Sequence, residues 1–392
     1  MIVCAQSAVG GTGVPIRELI LVLCTGCIVT FLTTGCIRSV MVRTGRVAIP
    51  RARDVHKQPR PRLGGVAMFT GVIAALLVAN QLPALNRGFP PMTPDLRAVL
   101  WAALIIVVVG IIDDLYDIPA LVKLVGQIAG ATVMSLLGLS WYLLYVPWHG
   151  GTTVILDQVQ STALTVVFTV TLINAINFVD GLDGLAAGVG GIAGISLFAF
   201  SLTILHDQGG AVSAYPPAII SAVLIGACAG FLPHNFEPSR IFMGDTGSML
   251  IGLLLAAAST SASGRITMSL YGAADIFALL SPIIVVAASV FIPMLDLIMA
   301  VIRRVGHGKS PFAPDKKHLH HRLLQLGHTH RRVVLVLYTW VSVVAFSAVA
   351  ATILPTDITL IAVGLAIIIA VGITSVPRSR DRRHPDRYNQ PA

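Results

Sequence analysis

Two adjacent carboxylates, Asp113 and Asp114, end one of the apolar stretches of the sequence. The C-terminal end of a helix is the negative end of its dipole, and neighbouring like charges repel, so both carboxylates require compensation. A hard divalent cation would supply the missing positive charge, and so would a lysine such as Lys123, which lies nearby in the sequence. The alternative is a solvated helix end without a chemical role.

A second polar segment combines two asparagines with two Asp–Gly steps. Asn174 and Asn177 share one face of a predicted helix inside an apolar run, where buried amides need partners. Asp180 and Asp183 then form a tight turn into the next helix. In the competing interpretation Asp183 is only an N-cap and the asparagines pair between helices, which accounts for only part of this segment.

A Gly–Asp–Thr–Gly–Ser turn opens a later apolar run at residues 244–248. The backbone N–H groups of such a turn, at the positive end of a helix dipole, suit an anion such as a diphosphate. Asp245 in the same turn suits Mg²⁺, which prefers one or two carboxylates together with phosphate oxygens of a substrate. The alternative is again a plain N-cap.

A histidine-rich basic segment lies in the long polar loop 303–332. Its candidate residues are His318, His320, His321 and Arg322. A zinc site is disfavoured because no cysteine is nearby and His320 points away from the face that the other two histidines share. A segment that holds a polyanion fits better, and a solvated basic loop is the alternative.

Two further positions are candidates. Lys57 belongs to a basic, proline-stiffened segment that either meets lipid headgroups or binds a phosphate. Asp296 is a carboxylate near the end of an apolar run, and an ionisable residue inside a membrane is a functional candidate by default.

The amino-acid composition is that of a membrane protein. Of 392 residues 55% are hydrophobic and only 11% are charged, with a mean hydropathy of +0.83. This excludes a soluble protein, a disordered chain, a disulfide scaffold and a coiled coil, and predicts an all-α bundle of transmembrane helices. The net charge of +9 does not indicate nucleic-acid binding, because membrane proteins concentrate Lys and Arg on one side.

Eleven apolar runs are candidate spans. They cover about 16–37, 63–82, 97–112, 119–139, 160–178, 184–205, 215–233, 247–263, 275–302, 333–354 and 357–376. With the N-terminus outside, all of the 27 basic residues except Arg17, Arg87, Arg97 and Arg265 lie in or beside inner loops. This bias predicts a cytoplasmic C-terminus and places the acidic clusters and most histidines on the cytoplasmic face.

The predicted organisation is therefore one catalytic membrane domain between two short ends. Residues 1–15 form an extracytoplasmic leader, residues 16–376 the transmembrane domain, and residues 377–392 a disordered basic cytoplasmic tail.

Six motifs in this order resemble the polyprenyl-phosphate N-acetylhexosamine-1-phosphate transferases. They read HKQPRPRLGG, IIDDLYD, NAINFVDGLDGLA, FMGDTGSM, PMLDLIMAVIRR and HLHHRL, and the resemblance covers about residues 46–330. The first and last motifs are similar to the branch that uses UDP-N-acetylglucosamine (UDP-GlcNAc) rather than the MurNAc-pentapeptide branch. Two departures are Leu319 between histidines and Arg60 between two prolines.

The resemblance implies that an undecaprenyl or decaprenyl phosphate attacks UDP-GlcNAc and releases UMP. It also implies Mg²⁺, with Mn²⁺ as a substitute, at the cytoplasmic face of a bacterial plasma membrane, as the first membrane step of a cell-envelope polysaccharide pathway. The resemblance does not decide whether the protein forms a homodimer. The rival activities are MurNAc-pentapeptide transfer and, in a different class, secondary transport, which usually places charges at the bilayer midplane.

The resemblance implies the following roles. Asp245 is the expected Mg²⁺ ligand, with Asn177 as the second, and the catalytic carboxylates are Asp113, Asp114, Asp180 and Asp183. The lipid phosphate is contacted by Lys57 and Lys123, and uracil is bound by Asn235 and Phe242. The diphosphate or the sugar is held by His318, His320, His321 and Arg322. A phosphate monoester has a second pKa of about 6, so the attacking phosphate is mostly ionised at neutral pH and a general base would accelerate the reaction little. Asp113 is therefore expected to orient the carrier phosphate, and Asp114 to support the site.

Overall fold

The computed structural model describes residues 13–45, 60–146, 152–263 and 329–375, with five isolated positions between 284 and 306. Over these residues the chain forms α1 (Ile16–Arg43), α2 (Gly64–Gln81), α3 (Asp95–Tyr116), α4 (Ala120–Leu136), α5 (Gln158–Val179), α6 (Leu185–Asp207), α7 (Tyr215–Asn235), α8 (Gly244–Ser263), α9 (His330–Ile353) and α10 (Thr356–Ser375). A two-stranded hairpin, β1 (Leu143–Val146) with β2 (Thr152–Ile155), lies between α4 and α5.

The all-α, multi-span class predicted from the sequence is confirmed. Among the described residues, nine helices are long and apolar enough to cross a membrane, and α4, with 17 residues, is shorter. Ten of the eleven predicted spans thus coincide with a described helix, whereas the run 275–302 lies almost entirely outside the described residues. The total of eleven spans, the orientation and the division into leader, domain and tail stay predictions.

The two central helices of the bundle are α7 and α8. In their most apolar windows 89% and 94% of the residues are buried, against 11% in α10, whose leucines and isoleucines are exposed to the surroundings. Such an exposed apolar surface is typical of a helix that contacts the lipid tails of a membrane. Helices α1, α2 and α6 pack on α7, and α3 and α5 pack on α8.

Small residues allow the helices that carry the polar motifs to approach closely. A Cβ atom on Gly65 in α2 would collide with the backbone of Gly247 in α8, and one on Gly110 in α3 would lie 2.5 Å from the Cα of Thr246. The starts of α2 and α8 and the end of α3 therefore meet in one place.

The chain before α2 is joined to the chain before α8 by backbone hydrogen bonds. Phe242 N–H donates to Pro61 O at 2.8 Å, and Gly65 N–H donates to Met243 O at 2.8 Å. Both segments thereby stay at the end of the bundle where α3, α5 and α7 end and α4, α6 and α8 begin. We call this end of the bundle the site end.

Candidate active site

The ammonium group of Lys123 joins two carboxylates at the site end. Its Nζ lies 2.9 Å from Oδ2 of Asp113 and also contacts Oδ2 of Asp245. The turn between α3 and α4 brings Lys123 back over the end of α3, and Ile118 N–H donates to the second oxygen of Asp113 at 3.1 Å. The side chain of Asp113 is only 13% exposed, so a solvated helix end does not describe it.

The neighbouring Asp114 is compensated in another way, by the first turn of α8. Its carboxylate accepts from Asp245 N–H at 2.8 Å, from Thr246 N–H at 3.2 Å and from the Thr246 hydroxyl at 2.6 Å. Gly244 lies against this carboxylate with φ +71°, and a Cβ atom there would sit 2.5 Å from both oxygens. Glycine is therefore required at this position.

This capping corrects one expectation from the sequence. The N–H groups of Asp245 and Thr246 were expected to bind a diphosphate, but they donate to Asp114. The physical reason is the close packing of α3 on α8, which brings an internal carboxylate to the positive end of the α8 dipole. The expected supporting role of Asp114 in the reaction stays a prediction.

Asn177 and Asp245, the two expected metal ligands, lie side by side. Asn177 Nδ2 donates to Oδ2 of Asp245 at 3.3 Å, and the Asp245 side chain is 30% exposed, so a bound group can reach it. The described residues contain no group of three or more His, Cys, Asp or Glu side chains placed to hold a metal. A single carboxylate with an amide oxygen still fits Mg²⁺, since that ion retains waters and takes phosphate oxygens of its substrate.

A buried amide that the sequence analysis missed lies one helical turn deeper. Gln127 of α4 is 1% exposed and its Oε1 accepts from Asn174 Nδ2 at 2.7 Å. Asn174 also donates to Val170 O at 2.8 Å. The signal in the sequence was a single amide inside the apolar run that follows Lys123.

Asp183 is buried in an ion pair. Its Oδ2 lies 3.1 Å from Arg60 Nη1 and accepts from Ser239 N–H at 3.0 Å, and its side chain is 5% exposed. The Arg60 guanidinium also covers the ring of Phe242 at 5.6 Å from the ring centroid. Asp183 therefore joins the segment before α2 to the segment before α8, and its role as a catalytic carboxylate stays a prediction.

Asp180 has a different environment although it lies only three residues earlier. Its side chain is half-buried, and within the described chain it has no hydrogen-bond or ion-pair partner. Burial raises the pKa of the Asp180 carboxyl well above its usual value, and the negative charges of Asp114 and Asp183 raise it further. Asp180 is thus a carboxyl group that tends to keep its proton.

Gly184 is held through both of its backbone polar groups. Its N–H donates to Asn235 Oδ1 at 3.0 Å, and its carbonyl accepts from the hydroxyl of Tyr338 in α9. Asn235 is 2% exposed and its Nδ2 donates to Ile241 O at 3.1 Å. Both ends of the Asn235 amide are thus bonded to the backbone, and the expected contact of Asn235 with uracil stays a prediction.

Several predicted site residues lie outside the described residues. These are Lys57, Asp296, His318, His320, His321 and Arg322. Their roles stay predictions, as does packing of uracil on Phe242. The structure does bring together Asp113, Asp114, Lys123, Asn177 and Asp245.

Comparison with known proteins gives a family match and several similar proteins. Residues 96–263 match the family model described as glycosyl transferase family 4. The chain is 52% identical to the decaprenyl-phosphate N-acetylglucosaminephosphotransferase of Mycolicibacterium smegmatis, over 97% of this chain and 93% of the relative. It is 53% identical to the protein of the same name from Mycobacterium tuberculosis strain H37Rv, with the same coverage. It is 31% identical to a probable undecaprenyl-phosphate N-acetylglucosaminyl 1-phosphate transferase of Bacillus subtilis, over 81% of this chain and 80% of the relative.

Proposed function

The chain belongs to glycosyl transferase family 4, and on that premise we propose that it transfers N-acetylglucosamine 1-phosphate from UDP-GlcNAc to a polyprenyl phosphate. The observation that carries this proposal is the Lys123 ammonium group between Asp113 and Asp245 at the site end. This ammonium group lies at the end of the membrane bundle. There it can bind the phosphate of a lipid carrier beside the diphosphate of a water-soluble substrate.

The proposed reaction is a displacement at phosphorus. An oxygen of the polyprenyl phosphate forms a bond to the β-phosphorus of UDP-GlcNAc while the bond between that phosphorus and the bridging oxygen breaks, and UMP leaves with the bridging oxygen. The attacking phosphate is largely ionised at neutral pH, so the protein has to orient the groups and offset charge rather than remove a proton.

We assign Lys123 to the carrier phosphate. A lysine that already lies between two carboxylates can exchange one of these contacts for a phosphate oxygen, while Asp113 keeps the ammonium group in place. Lys57 is proposed to meet the same phosphate.

We propose Asp245 and Asn177 as the residues that hold Mg²⁺, with Mn²⁺ as a substitute. Their support is the open Asp245 carboxylate with the adjacent amide of Asn177. When bound, the ion would neutralise charge on the diphosphate of the nucleotide sugar. Lys123 contacts the same carboxylate, so engagement of Lys123 with the carrier phosphate would free Asp245 for this role.

Asp180 is assigned to the sugar–diphosphate region. A carboxyl group that retains its proton can donate a hydrogen bond to an anionic oxygen, whereas an ionised one would repel it. His318, His320, His321 and Arg322 are proposed to hold the diphosphate or the sugar from the loop 303–332. The uracil is assigned to Phe242.

The carrier is proposed to be decaprenyl phosphate, because relatives of that name share 52–53% identity with the chain while a relative named for undecaprenyl phosphate shares 31%. The site is proposed to face the cytoplasm, where basic residues concentrate according to the sequence. There it would carry out the first membrane step of a cell-envelope polysaccharide.

The test is transfer by the purified protein from radiolabelled UDP-GlcNAc to decaprenyl phosphate, with mass spectrometry of the lipid product. We expect GlcNAc linked to decaprenyl diphosphate, UMP in equal amount, and no product from UDP-MurNAc-pentapeptide. Uptake of the nucleotide sugar into liposomes without a lipid product would contradict the proposal and would indicate a transporter instead.

The metal assignment has its own test. Chelation should stop the reaction, and Asp245→Asn should raise the Mg²⁺ concentration for half-maximal rate by at least about tenfold, because loss of even an outer-shell partner of a metal costs about 10- to 100-fold in affinity. Turnover of Asp245→Ala at near wild-type rate and with unchanged Mg²⁺ dependence would refute the assignment.

A further inference from the structure

A second polar contact, which the reaction scheme does not use, lies inside the bundle beneath the site. Gln127 of α4 reaches two neighbouring helices, since its Oε1 accepts from Asn174 of α5 at 2.7 Å and its Nε2 lies 3.4 Å from the sulfur of Met249 in α8. Gln127 is 1% exposed. An amide in an apolar interior is costly unless it is hydrogen-bonded, so this contact constrains the three helices.

Each partner in this contact lies one helical turn from a residue of the candidate site. Gln127 follows Lys123 by four residues, Asn174 precedes Asn177 by three, and Met249 follows Asp245 by four. Residues three or four apart lie on the same helix face. The contact of Gln127 therefore repeats, one turn deeper, the meeting of the same three helices at Asp245, which contacts Lys123 of α4 and Asn177 of α5.

Helix α4 also packs on α3, where a Cβ atom on Gly126 would lie 2.6 Å from Val109. Of the polar side chains of α4, however, only Lys123, Gln127 and Ser135 bond to other described helices. It is the shortest α-helix of the described residues, and Leu121, Val125 and Leu136 on it are 70%, 59% and 65% exposed. Apolar contacts are non-directional, whereas a hydrogen bond requires a definite geometry. The second side-chain hydrogen bond between α4 and α5 joins Ser135 to Thr162 at 2.9 Å, near the opposite end of α4.

We infer that Gln127 is a positioning residue, which holds α4 in the rotation that places the Lys123 ammonium group between Asp113 and Asp245. This inference rests on the proposed role of Lys123 in transfer. Loss of the amide should misplace the ammonium group in the transition state while UDP-GlcNAc still binds, so kcat should fall and the KM for UDP-GlcNAc should not.

The experiment compares three variants of the full-length protein in nanodiscs. Gln127→Met keeps the volume and removes the hydrogen bond, Asn174→Leu removes the same bond from the other side, and Ser135→Ala removes the remote bond between the same two helices as a matched control. For each, kcat, the KM of both substrates and Tm are measured with UDP-GlcNAc and decaprenyl phosphate.

We expect Gln127→Met and Asn174→Leu each to lower kcat by about tenfold, with the KM for UDP-GlcNAc unchanged within about twofold. The double variant should be no slower than the slower single variant, because both changes remove one bond. Ser135→Ala should lower Tm by a similar amount while kcat stays within about twofold of wild type.

Equal kcat values for Gln127→Met and Ser135→Ala would overturn the inference, as would strictly multiplicative losses in the double variant. If Gln127→Met fails to fold, Asn174→Leu alone decides on the same criteria. Normal turnover of Lys123→Met would overturn the proposed role of Lys123 and this inference with it, whereas an inactive Lys123→Met beside a normal Gln127→Met would overturn the inference alone.

Discussion

The carboxylate of Asp114 caps helix α8 through Thr246, whose N–H and hydroxyl donate to the same oxygen at 3.2 and 2.6 Å. Asp113, the adjacent residue, points instead to Lys123. Two neighbouring carboxylates thus have separate partners and separate functions. Asp114 caps the start of α8, and Asp113 holds the ammonium group of Lys123 at the site end.

This separation predicts different consequences for the two positions. Asp114→Ala leaves three donors at the start of α8 without an acceptor and should lower the free energy of unfolding by about 3 kcal/mol. Asp113→Asn should leave Tm nearly unchanged, because Lys123 keeps Asp245, yet lose most of its transfer activity. Thermal unfolding in detergent and radiolabelled transfer measure both, and the reverse pattern would contradict the assignment.

Lys123→Met should reduce transfer by about a hundredfold, since removal of a charge that stabilises a phosphoryl transition state typically costs this much. The control is Arg97→Met, which removes an exposed cation from the other end of α3. Its rate should match wild type. A comparable loss in both variants would indicate a general effect of charge rather than a role in the site.

The contact of Tyr338 with Gly184 predicts an effect of α9 on the site. Tyr338→Phe keeps the ring and removes the hydroxyl that holds the turn after Asp183, so we expect kcat to fall about threefold to tenfold. The matched control is Trp340→Phe, which removes a 3.0 Å hydrogen bond from α9 to Thr374 of α10. Loss of Tm in both variants without a difference in kcat would show that α9 is only structural.

The structural role of Asn235 gives a separate test. Asn235→Leu removes the acceptor of Gly184 N–H and the donor to Ile241 O, so Tm should fall while the KM for UDP-GlcNAc stays within about twofold of wild type. An increase in that KM of about tenfold at unchanged Tm would support the uracil assignment.

The raised pKa of Asp180 predicts how stability depends on pH. A carboxyl whose pKa is higher in the folded than in the unfolded state binds more protons when folded, so its contribution to stability falls as pH rises between the two pKa values. Asp180→Asn lacks this term and should have a higher Tm than wild type at about pH 8, with a smaller difference in acid.

The control for this prediction is Asp117→Asn, in which the carboxylate that is lost is 61% exposed. Measurements use chelator and no substrate, so that no bound cation offsets the charge of Asp180. A lower Tm for Asp180→Asn than for wild type at alkaline pH would contradict the prediction.

Part of the candidate site could be predicted from local patterns in the sequence. The spacing of Asp113, Lys123 and Asp245 relative to the apolar runs was enough to assign all three to helix ends on one side of the membrane, and the structure brings them into contact. The hairpin between α4 and α5 was not predicted, because the dominant signal of long apolar runs hides strands of four residues.

What the sequence determined by itself was the all-helical membrane class and the location of the polar motifs at helix ends that share one side. Both follow from hydropathy and charge summed over about 20 neighbouring residues, which requires no knowledge of the packing. The tertiary structure decided the partner of each polar side chain: Asp114 with the start of α8, Asn235 with Gly184, and Asp183 with Arg60, 123 positions away. The close approach of helices at small residues such as Gly110 sets these pairings, and no local pattern encodes which distant group arrives there.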